Sequence, residues 1–363
     1  MNAANPNLAQ QLSLVGSDEM KRLLGPKERG RVDIAGRVLD DDSDDVSFLH
    51  HGFCSVGLPL RRVAQDSQEW ARHDGQFALT VHPRSIGLPD GSKLIIGVPY
   101  GAKARLLTMW LSTEIKDPRR AAGDKWVEFG RITDWLRAVG IEARGGPRGS
   151  IGPTKEQLVR LVFAQFTMVA ASAGDLWFDS EALVKGSVFR DSDITLYRDG
   201  KASQINWPQG VLLTDNAYDR FSRQSIPMAT SRIREISDNA MALDFFFFLA
   251  FKLPRIPRAE TRLVTWDELR RQFGNCASPS QFRRDHLESL KKALAAYPEA
   301  NIELSKDGKG YIMRRSDPPV PRNIFIAIPG GATSPIKPAG TLSTQSSLDL
   351  RQPLVTPAAV KED

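Results

Sequence analysis

Between Thr265 and Tyr297 the apolar positions mark one face of two successive helices. Trp266, Leu269 and Phe273 fall at i, i+3 and i+7, a single stripe. Thr265 precedes that stripe and Glu268 follows three residues later, the spacing of a capping box. Gly274 is expected to end the helix as its left-handed residue. Asn275, Ser278, Pro279 and Ser280 predict a turn, and a second helix starts at Pro279 or Ser280. Phe282, Leu287, Leu290, Leu294 and Tyr297 form its inner face, and Gln281, Arg284, Lys291 and Lys292 its outer one. Two helices joined by a short turn, the second showing Gln, Arg and Lys, predict a helix-turn-helix reader of DNA. The same pattern describes an ordinary solvated helix, a reading that Glu288 on the basic face favours. Beyond it, Ile302–Leu304 and Tyr311–Met313 flank Asp307-Gly308 and predict a hairpin.

The earlier chain reads in the same terms. Phe77, Leu79 and Val81 alternate with Ala78 and Thr80 as in a half-buried strand, and KLIIGV at Lys93–Val98 predicts another. Helices are expected over Ala102–Lys116, over Ile132–Val139, and from Thr154 to about Ala171 after a glycine-rich link. The last of these has Leu158, Leu161, Val162, Phe166 and Val169 inside, with Gln157 and Arg160 outside. Strand-like pieces follow at Leu176–Phe178, Val188–Leu196 and Ser203–Leu213, with Asp199-Gly200 as a turn. Met228–Lys252 predicts a buried helix. The predicted class is therefore α+β, mainly helical, with two tandem winged-helix domains at 75–221 and 222–316. Residues 1–74 read as a flexible arm, with short helical pieces near Leu8–Leu24 and an acidic run at Asp40–Asp45. Residues 317–363, rich in Pro, Ser, Thr and Gly, read as a disordered tail.

Charge sharpens this picture. The net charge is +6, and the segment from Lys252 to Arg315 holds 14 Lys and Arg against 8 Asp and Glu, so the excess lies there. A basic segment that coincides with the helix-turn-helix favours a polyanionic partner. Cys54 and Cys276 stand apart with no CxxC partner, which predicts free thiols in a reducing cytoplasm. The N-terminus lacks the pattern of a signal peptide, and no apolar run reaches membrane-spanning length, so no membrane partner is expected.

GVPYGAKARLLTMWLSTEI at Gly97–Ile115 resembles the helix that opens the first winged-helix domain in plasmid replication initiators of the RepA C-terminal class. VEFGRITDWLRAVGI at Val127–Ile141 and SDNAMALDFFFFLAFKL at Ser237–Leu253 are similar to later segments of that family, as are WDELRRQFG and FRRDHLESLKKALAAYPEA. The resemblance spans roughly 77–315. Asn239-Ala240 stands where the family has Ser-Pro, and four consecutive phenylalanines occupy its aromatic helix. The resemblance implies a binder of repeated double-stranded sites (iterons) at a plasmid origin that engages the host initiator protein and replicative helicase. It also implies that the first domain can form a homodimer off DNA.

Enzymatic alternatives lack their residues. The five histidines contain no His-x-His pair, and neither Gly91–Lys93 nor GGPRGSIG supplies a phosphate loop with Gly-Lys-Ser/Thr. Asp191 and Asp193 read as solvated rather than metal-holding. The expectation is a binding protein with no catalytic residue, metal or cofactor. A winged-helix transcriptional regulator acting on its own promoter is the alternative, and a helical protein binding acidic partners a third. Candidate DNA contacts are Arg148, Ser150, Lys155, Gln157 and Arg160 at the first reader helix, with Arg198 and Lys201 on its expected wing. Those of the second reader are Ser280, Gln281, Arg283, Arg284, Lys291 and Lys292, with Lys306 and Lys309 on its wing. Arg and Gln suit base edges, whereas the lysines and wing bases suit phosphate. Arg148 and Ser150 precede a helix start, where backbone amides favour an anion.

Overall fold

The computed structural model of the chain describes residues 8–64, 69–146, 148–172, 175–201, 204–274 and 276–320, with two short pieces at 325–326 and 334–335. Three helices come first: α1 (Leu8–Val15), α2 (Ser17–Leu24) and α3 (Arg29–Asp40). Strand β1 (Val46–His50) and the short α4 (His51–Ser55) follow. Four strands come next: β2 (Trp70–His73), β3 (Phe77–His82), β4 (Arg84–Gly87) and β5 (Lys93–Ile96). Then come α5 (Gly101–Ile115), β6 (Trp126–Glu128), α6 (Ile132–Ala138) and α7 (Ile151–Phe163). Next are β7 (Gln165–Ser172), β8 (Asp175–Ala182), β9 (Val184–Ser187), α8 (Asp191–Arg198), β10 (Gly210–Leu213) and α9 (Asp215–Gln224). The chain continues through β11 (Ser225–Ala229), α10 (Thr230–Arg234) and α11 (Ala240–Lys252). Then come β12 (Thr261–Thr265), α12 (Trp266–Phe273), α13 (Pro279–Ala296), β13 (Ile302–Leu304) and β14 (Gly310–Arg314). No helix among the described residues is long and apolar enough to cross a membrane.

The four consecutive phenylalanines of α11 point in all directions around the helix, and a helix apolar all round has to be enclosed. All four are buried. Phe245 and Phe248, one turn apart, meet Phe273 of α12 edge-on, and Phe245 also meets Phe282 of α13. Phe247 looks the other way, into a gap bounded by Leu49, Phe53 and Leu58. One continuous core therefore joins the two expected domains through α11.

The expected flexible arm is instead built into that core. Val32 and Ala35 of α3 are fully buried, and α3 lies along α13. Strand β1 pairs antiparallel with β11 across nearly 180 residues of chain, Phe48 opposite Pro227. A one-sided stripe on α3 was present in the sequence, but its partner surface is distant in the chain and invisible to local periodicity. At the other end, residues 317–320 also join the fold: Tyr297 donates its hydroxyl to the Asp317 carbonyl, and Ala229 N–H donates to the Pro319 carbonyl at 2.7 Å. Most of the remaining expected tail lies outside the described residues.

The first expected unit differs after α7. That helix ends at Phe163, and the stretch predicted to continue it forms β7. Phe166 and Val169 suit helical spacing, yet in the sheet Phe166 pairs with Val81 and Met168 with Leu79, which buries every second side chain instead. The sheet order is β2-β3-β7-β8. Where a strand was expected over Val188–Leu196, residues Asp191–Arg198 form helix α8. Its Asp193, expected to be solvated, is buried and accepts from the backbone N–H of Arg190 at 3.1 Å and of Asn206 at 2.8 Å.

Candidate nucleic-acid interface

The Thr265 capping box forms as its spacing predicts. Glu268 N–H donates to Thr265 Oγ1 at 3.1 Å, and Thr265 N–H donates to Glu268 Oε2 at 2.6 Å. Gly274 is not left-handed, however; its φ is −98°. Glycine serves there through close approach, because a Cβ would lie 2.6 Å from the Phe282 ring. The turn ends at Ser278, whose hydroxyl accepts from Gln281 N–H at 3.2 Å, and Pro279 takes the first helical position. Strands β12, β14 and β13 then form a sheet in that spatial order, with Trp266 packed on Tyr311 and Phe282. Helix, strand, helix, turn, helix and hairpin thus follow one another around a shared aromatic core.

The first half of α13 stays open. Ser280 is exposed, Gln281 is half-buried, and Arg284 is 73% exposed, with the neighbouring Asp285 at 3.2 Å. Arg283 lays its guanidinium 5.8 Å from the centre of the Trp266 ring, and one of its nitrogens lies 3.8 Å from where a Cβ on Gly308 would sit. It therefore bridges α13 and the β13–β14 turn. Gly308 has φ +68°, the left-handed conformation that the Asp307-Gly308 turn requires. Asp307 accepts from Ser305 Oγ at 2.7 Å and from Lys309 N–H at 3.1 Å, and the Ser305 bond leads in holding its carboxyl below the usual range. Lys306 and Lys309 project from that turn into solvent. The helix start and hairpin tip form one basic edge.

The second half of α13 is covered. Lys291 is held between Glu288 and Glu28, each at 2.9 Å, and these carboxylates push its ammonium above the usual lysine range. Lys292 is half-buried. Lys291 thus belongs to the seam with the N-terminal helices rather than to an open basic face. A cation missed from the sequence is Arg61, whose charge adds to burial in lowering the His286 imidazole of α13. Its signal was an Arg61-Arg62 pair in a stretch expected to be flexible.

The expected first reader helix is not available in the same way. Gln157 and Arg160 are each only 3% exposed. Gln157 accepts from Tyr100 N–H at 2.7 Å. Arg160 donates to the Val98 carbonyl at 3.2 Å, pairs with Glu156 at 3.0 Å, and lies 5.2 Å from the Tyr100 ring centre. A Cβ on Gly97 would come 2.4 Å from its guanidinium. The GVPY segment therefore covers the α7 face that looked outward on a helical wheel. Lys155 is half-buried, and burial lowers its ammonium below the usual range. Ser150 spends its hydroxyl on the Glu142 carbonyl at 2.6 Å, while Arg148 remains exposed. Arg198 ends α8 and reaches Asp90 at 3.4 Å, and Lys201 faces Asp199 at 3.8 Å, so neither sits on a hairpin wing.

Residues 98–268 match the family model described as "Plasmid encoded RepA protein". The match runs from the covered GVPY segment to the capping glutamate of α12. Among curated proteins, none matches the chain. A solved structure described as "Crystal structure of SeMet derivatives of domain2 and domain 3 of RctB" is 10% identical. It aligns with a TM-score of 0.45 over 72% of this chain and 97% of its own.

Proposed function

Since residues 98–268 match the family model of plasmid-encoded RepA proteins, we propose that this protein is a replication initiator that binds repeated double-stranded sites (iterons) at a plasmid origin. The observation that carries the reading is the basic edge where Arg283 links the start of α13 to the β13–β14 turn. As a winged helix, residues 240–314 place the first half of α13 in the major groove. Arg284 and Gln281 then face base edges, while Lys306 and Lys309 on the wing meet the backbone. Ser280 and Arg148 supply further phosphate contacts. The buried Gln157 and Arg160 take no part, so a single reader carries sequence recognition. The protein acts in the cytoplasm by binding rather than covalent chemistry, and engages the host initiator and replicative helicase once on DNA.

A mobility shift against a duplex carrying the repeats beside this gene, with excess random competitor, tests the reading. Discrete bands that survive the competitor and grow with repeat number support it. Complete competition by random duplex would sink it. Site-specific binding to a lone promoter operator without origin melting would favour a transcriptional regulator.

A further inference from the structure

Among the described residues, strands β4 and β9 each pair on one side only. Strand β4 is one edge of the β4-β5 ribbon, and β9 is an edge of the β6-β10-β9 sheet. The two four-residue strands bound a cleft of about 410 Å³ between them. Its floor is apolar, formed at the end of α7 by Phe163, whose ring stacks on Phe189 with centroids 5.9 Å apart. A second small core that includes Ile96 and Val159 lies against those rings, and the Arg198–Asp90 contact ties the β4–β5 turn to α8, so both walls are anchored.

Each wall carries a glycine, Gly87 on β4 and Gly186 on β9, and a Cβ on either would meet nothing within 4 Å. Glycine within a strand marks a place where another backbone can approach closely. Arg84 and Lys185 stand exposed on the two walls, and among the described residues no acidic one lines the cleft.

We propose that the β4–β9 cleft binds an extended acidic peptide segment of a partner protein, which adds as a strand between the two free edges. Main-chain hydrogen bonds to the edges supply affinity, and Arg84 and Lys185 select carboxylates on the peptide. The aromatic rings do not turn the site into a stacking platform for single-stranded DNA, because they stack on each other. This site is separate from the α13 edge, so its test is independent of DNA recognition.

The full chain is titrated with a fluorescein-labelled octapeptide of alternating Glu and Val, its Lys-Val counterpart, and a labelled oligo(dT), each up to about 1 mM. The Glu-Val peptide is expected to raise anisotropy and to protect the amides of 84–87 and 184–187 from hydrogen exchange. Gly186→Val, which fills open space, and Lys185→Glu should each weaken binding by about tenfold or more while retardation of duplex DNA is unchanged. Absence of Glu-Val binding, equal binding of the Lys-Val peptide, or insensitivity to Gly186→Val would overturn the proposal. Protection of the same amides by oligo(dT) alone, or by self-association without peptide, would overturn it in favour of those occupants.

Discussion

Arg105 of α5 and Asp244 of α11 meet in a bidentate ion pair, both bonds at 2.6 Å, with the side chains 3% and 1% exposed. The remaining guanidinium hydrogens go to the carbonyls of Leu58, Pro59 and Gly101. Gly57 packs so closely that a Cβ there would come 2.4 Å from the Asp244 carboxylate. Three parts of the chain, expected as arm, first domain and second domain, are joined at one point.

Removing one partner leaves a buried charge without compensation. Arg105→Ala or Asp244→Ala is expected to destabilise the protein by about 3–5 kcal/mol. Denaturant unfolding would show this as a lower midpoint. A loss under about 1 kcal/mol would mean that water reaches the pair.

Arg284 and Arg160 should separate recognition from folding. Arg284→Ala is expected to cost about 1–3 kcal/mol of binding to the specific duplex, with thermal stability unchanged. Arg160→Ala should lower the melting temperature, since it strips the Val98 carbonyl of its donor and the Tyr100 ring of its cation. Equal loss of specific and random binding in Arg284→Ala would refute a base contact.

Lys306 and Lys309 of the β13–β14 turn should act through charge alone. Lys306→Ala and Lys309→Ala are each expected to reduce the slope of log affinity against log salt by about 1, equally on all sequences. An unchanged slope in both would place the β13–β14 turn away from the phosphates.

His51 sets a pH dependence on stability. Burial lowers its imidazole to about 4 from the ordinary 6.5, against stacking partners His50 and Phe251. The folded protein holds it neutral, whereas the unfolded chain takes up the proton near pH 6.5. Stability is therefore whole above that pH and falls by about 1.4 kcal/mol per unit as pH drops towards 4. Burial shifts His50 in the same direction. Unfolding midpoints between pH 7 and pH 5 check this, and His51→Gln should flatten the decline. An equally steep decline in that variant would place its origin elsewhere.

Local chemistry made several elements legible in advance. The Thr265–Glu268 box, Pro279 at a helix start and the left-handed Gly308 all depend on residues within a few positions of one another. The two segments that resemble the RepA class were equally readable, and they hold the two halves of the Arg105–Asp244 pair, although nothing local says that they touch. Gly274 illustrates the boundary. Its position after a helix suggested a left-handed residue, and the true constraint is the Phe282 ring eight residues on.

The sequence by itself determined where most helices lie, how the α12–α13 turn is capped and where the basic excess falls, because capping, periodicity and charge act over a few residues. Tertiary structure alone decided which basic faces remain open. Lys291 meets Glu28 across 263 residues of chain, and Arg160 meets Val98 across 62. A helix periodicity shows that one face is apolar and another polar, but a polar face can be closed by any segment that carries matching carboxylates or carbonyls. That choice rests on long-range packing, which the spacing of residues within one helix does not encode.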